Sequence, residues 1–453
     1  MVGAGIAFLC GIGALVGYGP TTVLGLGIPI VLLLGVGVFS APELSVIVYA
    51  MLRPFADAAV HVQVGGVSLG TVWGAGFMVV LACYWFLVGF RRPLRGYSWF
   101  VPVVFVIAYA VLAFGRGDFS YTLSTWVKIA SFVLFALTCE QIAGTRKGQV
   151  LIQRAGVVLA ILTVAVMGLA LASNQYGPAY YAGQAESVTQ GPHALASMGV
   201  LASAFVWIGA MFGRRRGRYL LLAAVLAIGI CLSLVRTTFL AFAILALWFL
   251  FWGFKNRSRG ALAIATTAFA AAVAAVWAFQ DTLSSRISDL AFLVSGGGQE
   301  LQAGSGRIGI WATVLQSATA TSGALLFGQG SGASLAATSA MFGAALWSHN
   351  DFIEFLITGG VGLLLIYLMV IAWLFVSTAK LAMSPQQSPQ ARAVGRLMVV
   401  MVVAFVVMAF FNGIIFFQSS MAMAMVVGLA RGMAETPGAT YLDEEHPLGA
   451  GAE

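Results

Sequence analysis

The chain has 453 residues, of which 60% are hydrophobic and only 8% are charged, and its formal net charge is +8. An ordinary soluble domain carries about 25% charged residues, so this composition excludes a water-soluble globular protein. The basic residues form short clusters between apolar runs and not one continuous stripe, so they indicate membrane topology and not a nucleic-acid partner.

Apolar runs follow one another along almost the whole chain, each near the roughly 20 residues that cross a hydrocarbon core. A shorter run at 42–53 is interpreted as a partial or re-entrant span. The sequence therefore predicts an all-α polytopic membrane protein with about 12 to 14 transmembrane helices, in one membrane domain over residues 1–432. The runs lie at about 3–18, 21–39, 68–89, 98–114, 120–140, 149–172, 193–212, 219–235, 237–254, 260–279, 352–376, 395–411 and 414–431.

Clusters of Lys and Arg lie between these runs, and such residues near span ends are retained in the cytoplasm. Consecutive clusters are separated by an even number of runs, which predicts that all of them face the same, cytoplasmic side. Residues 54–67, 115–119, 173–192 and 280–351 then lie outside, and 433–453 is predicted to be a disordered cytoplasmic tail. The clusters are Arg91, Arg92 and Arg95; Arg146 and Lys147; Arg214, Arg215, Arg216 and Arg218; Lys255, Arg257 and Arg259; Lys380, Arg392 and Arg396.

The outer loop 280–351 is far longer than the about 12 to 15 residues beyond which loops are usually functional or disordered. Within it, Ile308, Trp311 and Leu315 lie at helical spacing, and 335–346 is a second, Ala-rich candidate helix. We predict two short amphipathic helices at the outer membrane surface. The cysteines lie far apart in apolar runs and the histidines show no HxxxH or HExxH spacing, so neither a metal site nor a bound cofactor is expected.

Charges outside the cytoplasmic clusters are the candidate site residues, because an ionisable group at membrane depth is costly and usually lines a cavity or pathway. Positive charge is in excess on the outer side, where the topology rule predicts depletion, and this excess predicts a bound anion. The residues concerned are Arg53, Arg116, Lys128, Arg236, Arg286 and Arg307.

Arg236 lies at the tip of a tight hairpin between two apolar runs. The alternatives for it are a snorkelling anchor and a bidentate contact to phosphate, which suits a planar guanidinium. Under the second alternative, hydroxyl groups add donors from Ser233, Thr237 and Thr238. Arg307 follows a glycine-rich turn and begins a predicted helix, where a cation is disfavoured unless an anion lies nearby.

His349 lies in Trp347-Ser-His-Asn-Asp-Phe-Ile-Glu354, where the outer loop returns to the membrane. A histidine there has a pKa suited to general-base work near neutral pH, although a structural role is equally open from these residues alone. Either Ser348 or Asn350 is expected to cap the following helix. Asp351 and Glu354 are predicted to orient or assist His349.

Residues 215–375 contain three elements that resemble, in order, those of the O-antigen ligase and Wzy polymerase superfamily of bacterial membrane glycosyltransferases. The first is Leu232-Ser-Leu-Val-Arg236, and the second combines Gly306, Arg307 and Trp311. The third is the run 349–356, followed by Gly359, Gly360 and Gly362. A looser match is Gly191-Pro-His193-Ala-Leu195-Ala, which makes His193 a supporting candidate.

The resemblance implies a metal-independent glycosyltransferase in the bacterial inner membrane, with its active site on the periplasmic side. It implies that Arg236 and Arg307 hold the donor's diphosphate, with Arg286 and Arg116 as further candidates, and that His349 helps to activate the acceptor hydroxyl. The donor is then an undecaprenyl-diphosphate-linked oligosaccharide. The acceptor is a second lipid-linked repeat or the lipid A core, and a chain-length regulator is a further candidate partner.

Within this superfamily we favour a Wzy-type repeat-unit polymerase, because the His-Asn-Asp-Phe run with its acidic residues is closer to exopolysaccharide polymerases. The alternative is an O-antigen ligase, which transfers the finished chain to lipid A core. A transporter is a third hypothesis from a different class. The two halves of the sequence show no internal symmetry of the kind that is common in transporters, so this hypothesis is the weakest.

Overall fold

Helices make up nearly all of the structure, a computed structural model, which confirms the all-α prediction. Two two-residue strands form a small antiparallel hairpin, with Val64 opposite Val67. The structure describes residues 37, 39–58, 63–64, 67–89, 99–172, 191–213, 215–233, 235–255, 257, 259–278, 307–343, 345–413 and 419–436. The predicted spans 3–18 and most of 21–39, the loop residues 280–306 and the tail beyond residue 436 lie outside this range.

The elements follow in chain order, and the hairpin lies between the first two helices. They are α1 (Pro42–Ala58), β1 (Gln63–Val64), β2 (Val67–Ser68), α2 (Leu69–Leu87), α3 (Phe100–Ala113), α4 (Phe119–Ala143), α5 (Arg146–Ala172), α6 (Gly191–Phe212), α7 (Arg216–Leu232), α8 (Arg236–Lys255), α9 (Arg259–Ala278), α10 (Arg307–Ala318), α11 (Ser322–Phe327), α12 (Ala333–Phe342), α13 (Asp351–Met383), α14 (Pro389–Asn412) and α15 (Ser419–Ala434).

Six of the described helices are long and apolar enough to cross a membrane, namely α4, α5, α6, α8, α13 and α14. Shorter apolar helices accompany them, including α3 and most of α1, α2 and α15. The most deeply buried of these six helices is α6, whose apolar stretch is 94% buried inside the bundle. Such a set is typical of an integral membrane protein. The last helix extends to Ala434, so Met433 and Ala434 are helical and do not belong to the predicted tail.

The described part of the predicted outer loop, from residue 307 onward, contains three short helices where two were predicted for the whole loop. Helix α10 matches the first prediction, and Trp311 of the predicted stripe is partly buried, whereas Leu315 is 38% exposed and does not belong to the buried face. The side chain of Ile308 lies outside the described residues. Helix α12 overlaps the second predicted helix over residues 335–342 and is capped by Gly343, whereas α11 was not predicted. The residues of α10 that are buried against Ile353 and Ile357 of α13 are Ile310, Val314 and Ala318.

Basic clusters meet at one end of the bundle, called here the basic end. Gln387, in the turn before α14, donates to the Met433 carbonyl at 3.0 Å, and Gln149 near the start of α5 donates to Thr436 at 3.0 Å. The ends of α6 and α8 also lie beside the start of α14, because one cavity is lined by Phe212, Trp252, Arg392 and Arg396. The four clusters in the described part of the chain therefore share one end, as the topology prediction requires. The cluster of Arg91, Arg92 and Arg95 lies outside the described residues.

A buried ion pair ties α4 to α15. Arg431 Nε donates to Glu140 Oε2 at 2.6 Å, and its Nη2 donates to Oε1 at 3.2 Å. The two side chains are only 3% and 9% exposed. The guanidinium also lies over the Trp99 ring, 4.7 Å from its centroid. This bidentate geometry and the aromatic face offset the cost of removing both charges from water.

Helix α13 is broken at Gly360, where φ is +71°. The break leaves two carbonyl groups free to accept hydrogen bonds from a neighbouring loop. The backbone N–H of Gln329 donates to the Ile357 carbonyl at 2.7 Å, and the backbone N–H of Gly330 donates to the Thr358 carbonyl at 3.0 Å. A Cβ atom at Gly360 would lie 2.3 Å from the Leu326 carbonyl oxygen. Glycine permits both the backbone angle and the close approach. The first part of α13 is thereby a short, separately docked helix.

We expect Gly360→Ala to lower the free energy of unfolding by about 1–3 kcal/mol, because alanine is strained at this φ and collides with the loop backbone. The matched control is Gly362→Ala, whose added Cβ would meet nothing within 4 Å. Thermal unfolding of both purified variants in detergent measures the difference. Equal melting temperatures for the two variants would contradict this account of the break.

Candidate functional site

Five helix ends converge at the end of the bundle opposite the basic end, which α14 reaches at Asn412. His193, near the start of α6, interacts electrostatically with Arg307 and His349 and faces the Asn412 side chain. The Asn412 amide also donates to the Thr237 hydroxyl in the first turn of α8. The structure thus brings together His193, Arg307 and His349, with the helix that Arg236 begins beside them.

Arg307 and Trp311 lie four residues apart, on one face of α10. Arg307 Nη1 donates to the Phe411 carbonyl at 2.6 Å, at the end of α14, where helix carbonyls have no partner within the helix. The Trp311 ring packs against the rings of Phe410 and Phe411, with centroids 5.7 and 6.3 Å away. The spacing of the second sequence element therefore docks α10 onto α14 and fixes the Arg307 guanidinium in the site.

His349 adopts a φ of +51°, which is rare for a residue with a side chain. The backbone is held on both sides of it. The Trp311 indole donates to the Ser348 carbonyl at 2.6 Å, and Asn350 caps α13 by accepting from the Ile353 amide at 3.1 Å. Of the two residues predicted as the cap of this helix, Ser348 and Asn350, the structure shows that Asn350 is the cap. Such local strain, imposed by firm contacts, is common at functional sites.

Glu354 holds the residue that precedes His349. Its carboxylate is buried and accepts from the Ser334 hydroxyl and from the Ser348 hydroxyl, each at 2.9 Å. Glu354 therefore links α12 and α13 to Ser348, the residue that precedes His349 in the chain. Asp351 has a different environment, in which its Oδ2 atom accepts from the Tyr367 hydroxyl at 3.3 Å.

Three polar side-chain atoms in or beside the cluster are buried and have no hydrogen-bond partner among the residues that the structure describes. They are His193 Nδ1, Asn350 Nδ2 and Asn412 Oδ1. Buried polar atoms are nearly always paired, so these three atoms leave room in the cluster for partners that the described residues do not supply. No three His, Cys, Asp or Glu side chains in the described part of the chain are placed to hold a metal ion.

Two of the hydroxyl groups predicted to support Arg236 are used within the hairpin. Ser233 Oγ donates to the Ile230 carbonyl at 2.6 Å, and Thr238 Oγ1 donates to that of Val235 at 2.8 Å. Both residues are fully buried. Their prediction as phosphate donors is therefore wrong, because each hydroxyl proton already serves the helix ends. Thr237 differs, since its hydroxyl accepts from Asn412 and faces the cluster.

Arg116 contacts a different part of the molecule. Its Nη1 donates to the Phe327 carbonyl at 3.0 Å, and its guanidinium lies 5.7 Å from the centroid of the Phe327 ring. These contacts tie the turn before α4 to α11. Arg286 and the side chain of Arg53 lie outside the residues that the structure describes.

The sequence did not single out Asn412 or Gly413, which end α14. Gly413 has a φ of +64°, and a Cβ atom there would lie 3.2 Å from Asp351 Oδ1. An amide and a glycine between two apolar runs were the available signal, because a polar residue at a span end indicates either a cap or a site. Only the fold shows that Asn412 faces His193.

No protein-family model matches the chain, and no curated protein matches it in sequence. The similarity to the O-antigen ligase and Wzy polymerase superfamily therefore stays a resemblance, carried by the three sequence elements. Arg307, Trp311 and His349, which belong to two of these elements, meet in one site.

Proposed function

We propose that the chain is a membrane glycosyltransferase that acts on a glycan linked to polyprenyl diphosphate, at the periplasmic face of the bacterial inner membrane. The observation that supports this most directly is the convergence of Arg307, His193, His349 and Asn412 at one end of an apolar helical bundle. A fixed cation stabilises the charge of an anionic leaving group, and a neutral imidazole accepts the proton of a hydroxyl nucleophile. The sequence resemblance points to the same chemistry.

In the proposed reaction the acceptor hydroxyl oxygen forms a bond to the anomeric carbon, and the bond from that carbon to the carrier's phosphate oxygen breaks. The hydroxyl proton passes to His349, and the lipid diphosphate leaves with the bonding electrons. Arg307 stabilises the charge that develops on the diphosphate, with Arg236 as its partner. The side chains of His193, Asn350 and Asn412 supply both donors and acceptors for sugar hydroxyl groups.

Within this class we favour a repeat-unit polymerase over an O-antigen ligase, on the acidic character of the run after His349. The experiment is the glycan profile of a deletion strain, with and without the wild-type gene. A polymerase leaves single repeats attached to lipid A core when it is deleted, whereas a ligase leaves long chains that are not attached to the core. Unchanged glycans after deletion would rule out both.

Burial and the nearby Arg307 charge lower the pKa of His349 from 6.5 to about 4. This pKa lies below the near-neutral value that was predicted from the sequence, so His349 is a weaker base than expected. The imidazole is neutral at pH 7 and able to accept a proton, and we expect the acid limb of the pH–rate profile near pH 4 to 5 and not near 6.5. Arg307→Gln is expected to move the acid limb to higher pH, because it removes the positive charge that helps to lower the pKa of His349. The profile of kcat/KM against pH measures both, and a limb at 6.5 in the wild type would contradict the assignment.

The same shift links pH to stability. The folded pKa lies below the ordinary value, so the unfolded chain binds more protons between about pH 4 and 6.5. The contribution of His349 to stability is therefore complete above pH 6.5 and decreases as the pH falls toward 4. Comparing the melting temperatures of wild type and His349→Gln over this range isolates the contribution.

A further inference from the structure

The basic end of the bundle contains a cavity of about 370 Å³ between the ends of three helices. Phe212 comes from the end of α6 and Trp252 from the end of α8. The start of α14 provides the remaining lining residues, which are Pro389, Gln390, Arg392, Ala393 and Arg396. The cavity is distinct from the site of His349, because α14 runs from one to the other. No role in glycan transfer accounts for it.

The charged residues that line this cavity are of one sign. Arg392 and Arg396 lie four residues apart on α14, so both side chains lie on the same face of that helix. None of the lining residues is acidic. The cavity also lies at the N-terminal end of α14, where the helix dipole favours a negative charge. Arg392 and Arg396 therefore present two positive charges to the cavity, and an anion bound there would be attracted to both.

The apolar part of the lining fits a lipid. Trp252 stacks on Trp248, with ring centroids 6.0 Å apart, and tryptophan is enriched where a membrane meets water. The same helix exposes Leu247 and Phe251, each about two-thirds accessible. A headgroup in the cavity would therefore have apolar surface beside it for acyl chains, whereas a free inorganic ion would use only the polar half of the lining.

We propose that this cavity binds the phosphate-bearing headgroup of an anionic membrane lipid, with Arg392 and Arg396 as the phosphate ligands. Basic pockets between transmembrane helices on the cytoplasmic side are suited to such headgroups. Trp252 and Phe212 pack against the glycerol and upper acyl region. The proposal concerns binding only and is independent of the reaction proposed above.

The test is lipid-dependent thermal stabilisation of the purified full-length protein in nanodiscs. Wild type is compared in phosphatidylcholine alone and with added phosphatidylglycerol or cardiolipin, and inorganic phosphate is titrated in a separate arm. We expect stabilisation by the anionic lipids and an apparent affinity at least about 10-fold lower in Arg392→Gln/Arg396→Gln, since each basic residue near the surface contributes roughly five-fold. Stabilisation by inorganic phosphate equal to that by lipid would overturn the lipid assignment.

The matched control is Arg215→Gln/Arg218→Gln, which removes the same charge from exposed residues at the basic end but outside the cavity. It is expected to keep the wild-type response. An equal loss in both double variants would reduce the effect to general surface charge and overturn the proposal. Unfolding in phosphatidylcholine alone shows whether each variant folds, and an anionic-lipid response that persists in Arg392→Gln/Arg396→Gln would also overturn it.

Discussion

Arg307→Lys is expected to lower the rate of glycan transfer by about 100- to 1,000-fold, even though it keeps the positive charge. The loss of one preorganised donor to a developing anion has an effect of this size. The guanidinium is held by its bond to the Phe411 carbonyl at 2.6 Å, and a lysine ammonium cannot make that bond and a bidentate contact to phosphate from one position. Transfer is measured with purified protein and a polyprenyl-diphosphate-linked repeat.

The control is Arg218→Lys, an exposed residue at the basic end, which is expected to keep full activity. Arg307 also docks α10, so the melting temperature of each variant must be compared with the wild type. Loss of activity with an unchanged melting temperature supports a role in the reaction. Full activity of Arg307→Lys would remove this residue from the proposed diphosphate site.

Arg431→Ala is expected to lower the free energy of unfolding by about 3–5 kcal/mol, the largest change that we predict for stability. Truncating one member of a buried pair leaves the other charge uncompensated, and Glu140 has two hydrogen bonds from Arg431 at 2.6 and 3.2 Å. The substitution also removes the cation above the Trp99 ring. Thermal unfolding in detergent measures the loss.

Two further variants separate the pair from the loss of packing. Glu140→Gln combined with Arg431→Gln removes both charges, so it is expected to be more stable than Arg431→Ala. Arg154→Ala truncates an exposed arginine on α5 and is expected to change stability by no more than about 0.5 kcal/mol. An Arg431→Ala protein as stable as Arg154→Ala would show that the ion pair contributes nothing.

Much of the helical fold could be predicted because membrane-spanning helices have a strong sequence signal. Runs of about 20 apolar residues are rare for any other reason, and they marked α4, α5, α6, α8, α13 and α14. The broken helix α13 shows the limit of that signal. Three glycines after the His349 run were evident, but only the contact of Gly360 with Leu326 shows that the helix is interrupted there.

Part of the candidate site could also be predicted from a strong sequence signal. Arg307 and His349 could be predicted because ionisable residues are conspicuous in an apolar sequence. The phosphate roles of Ser233 and Thr238 could not be judged, since a hydroxyl can equally serve the backbone at a helix end. Asn412 was missed because its partner, His193, is more than 200 residues away in sequence. Contacts between distant segments leave no local pattern.

The helix ends that supply the described site residues are unequal in electrical sign. Four are N-termini, those of α6, α8, α10 and α13, and one is the C-terminus of α14. Each N-terminus carries the equivalent of roughly half a positive charge from its aligned peptide units, and each C-terminus roughly half a negative one. The C-terminus of α7, in the hairpin before Arg236, offsets part of this charge, so among these described helix ends N-termini outnumber C-termini by four to two. The backbone therefore favours a bound anion here, and no side-chain substitution removes that contribution. Residual anion binding is expected even when both Arg236 and Arg307 are replaced.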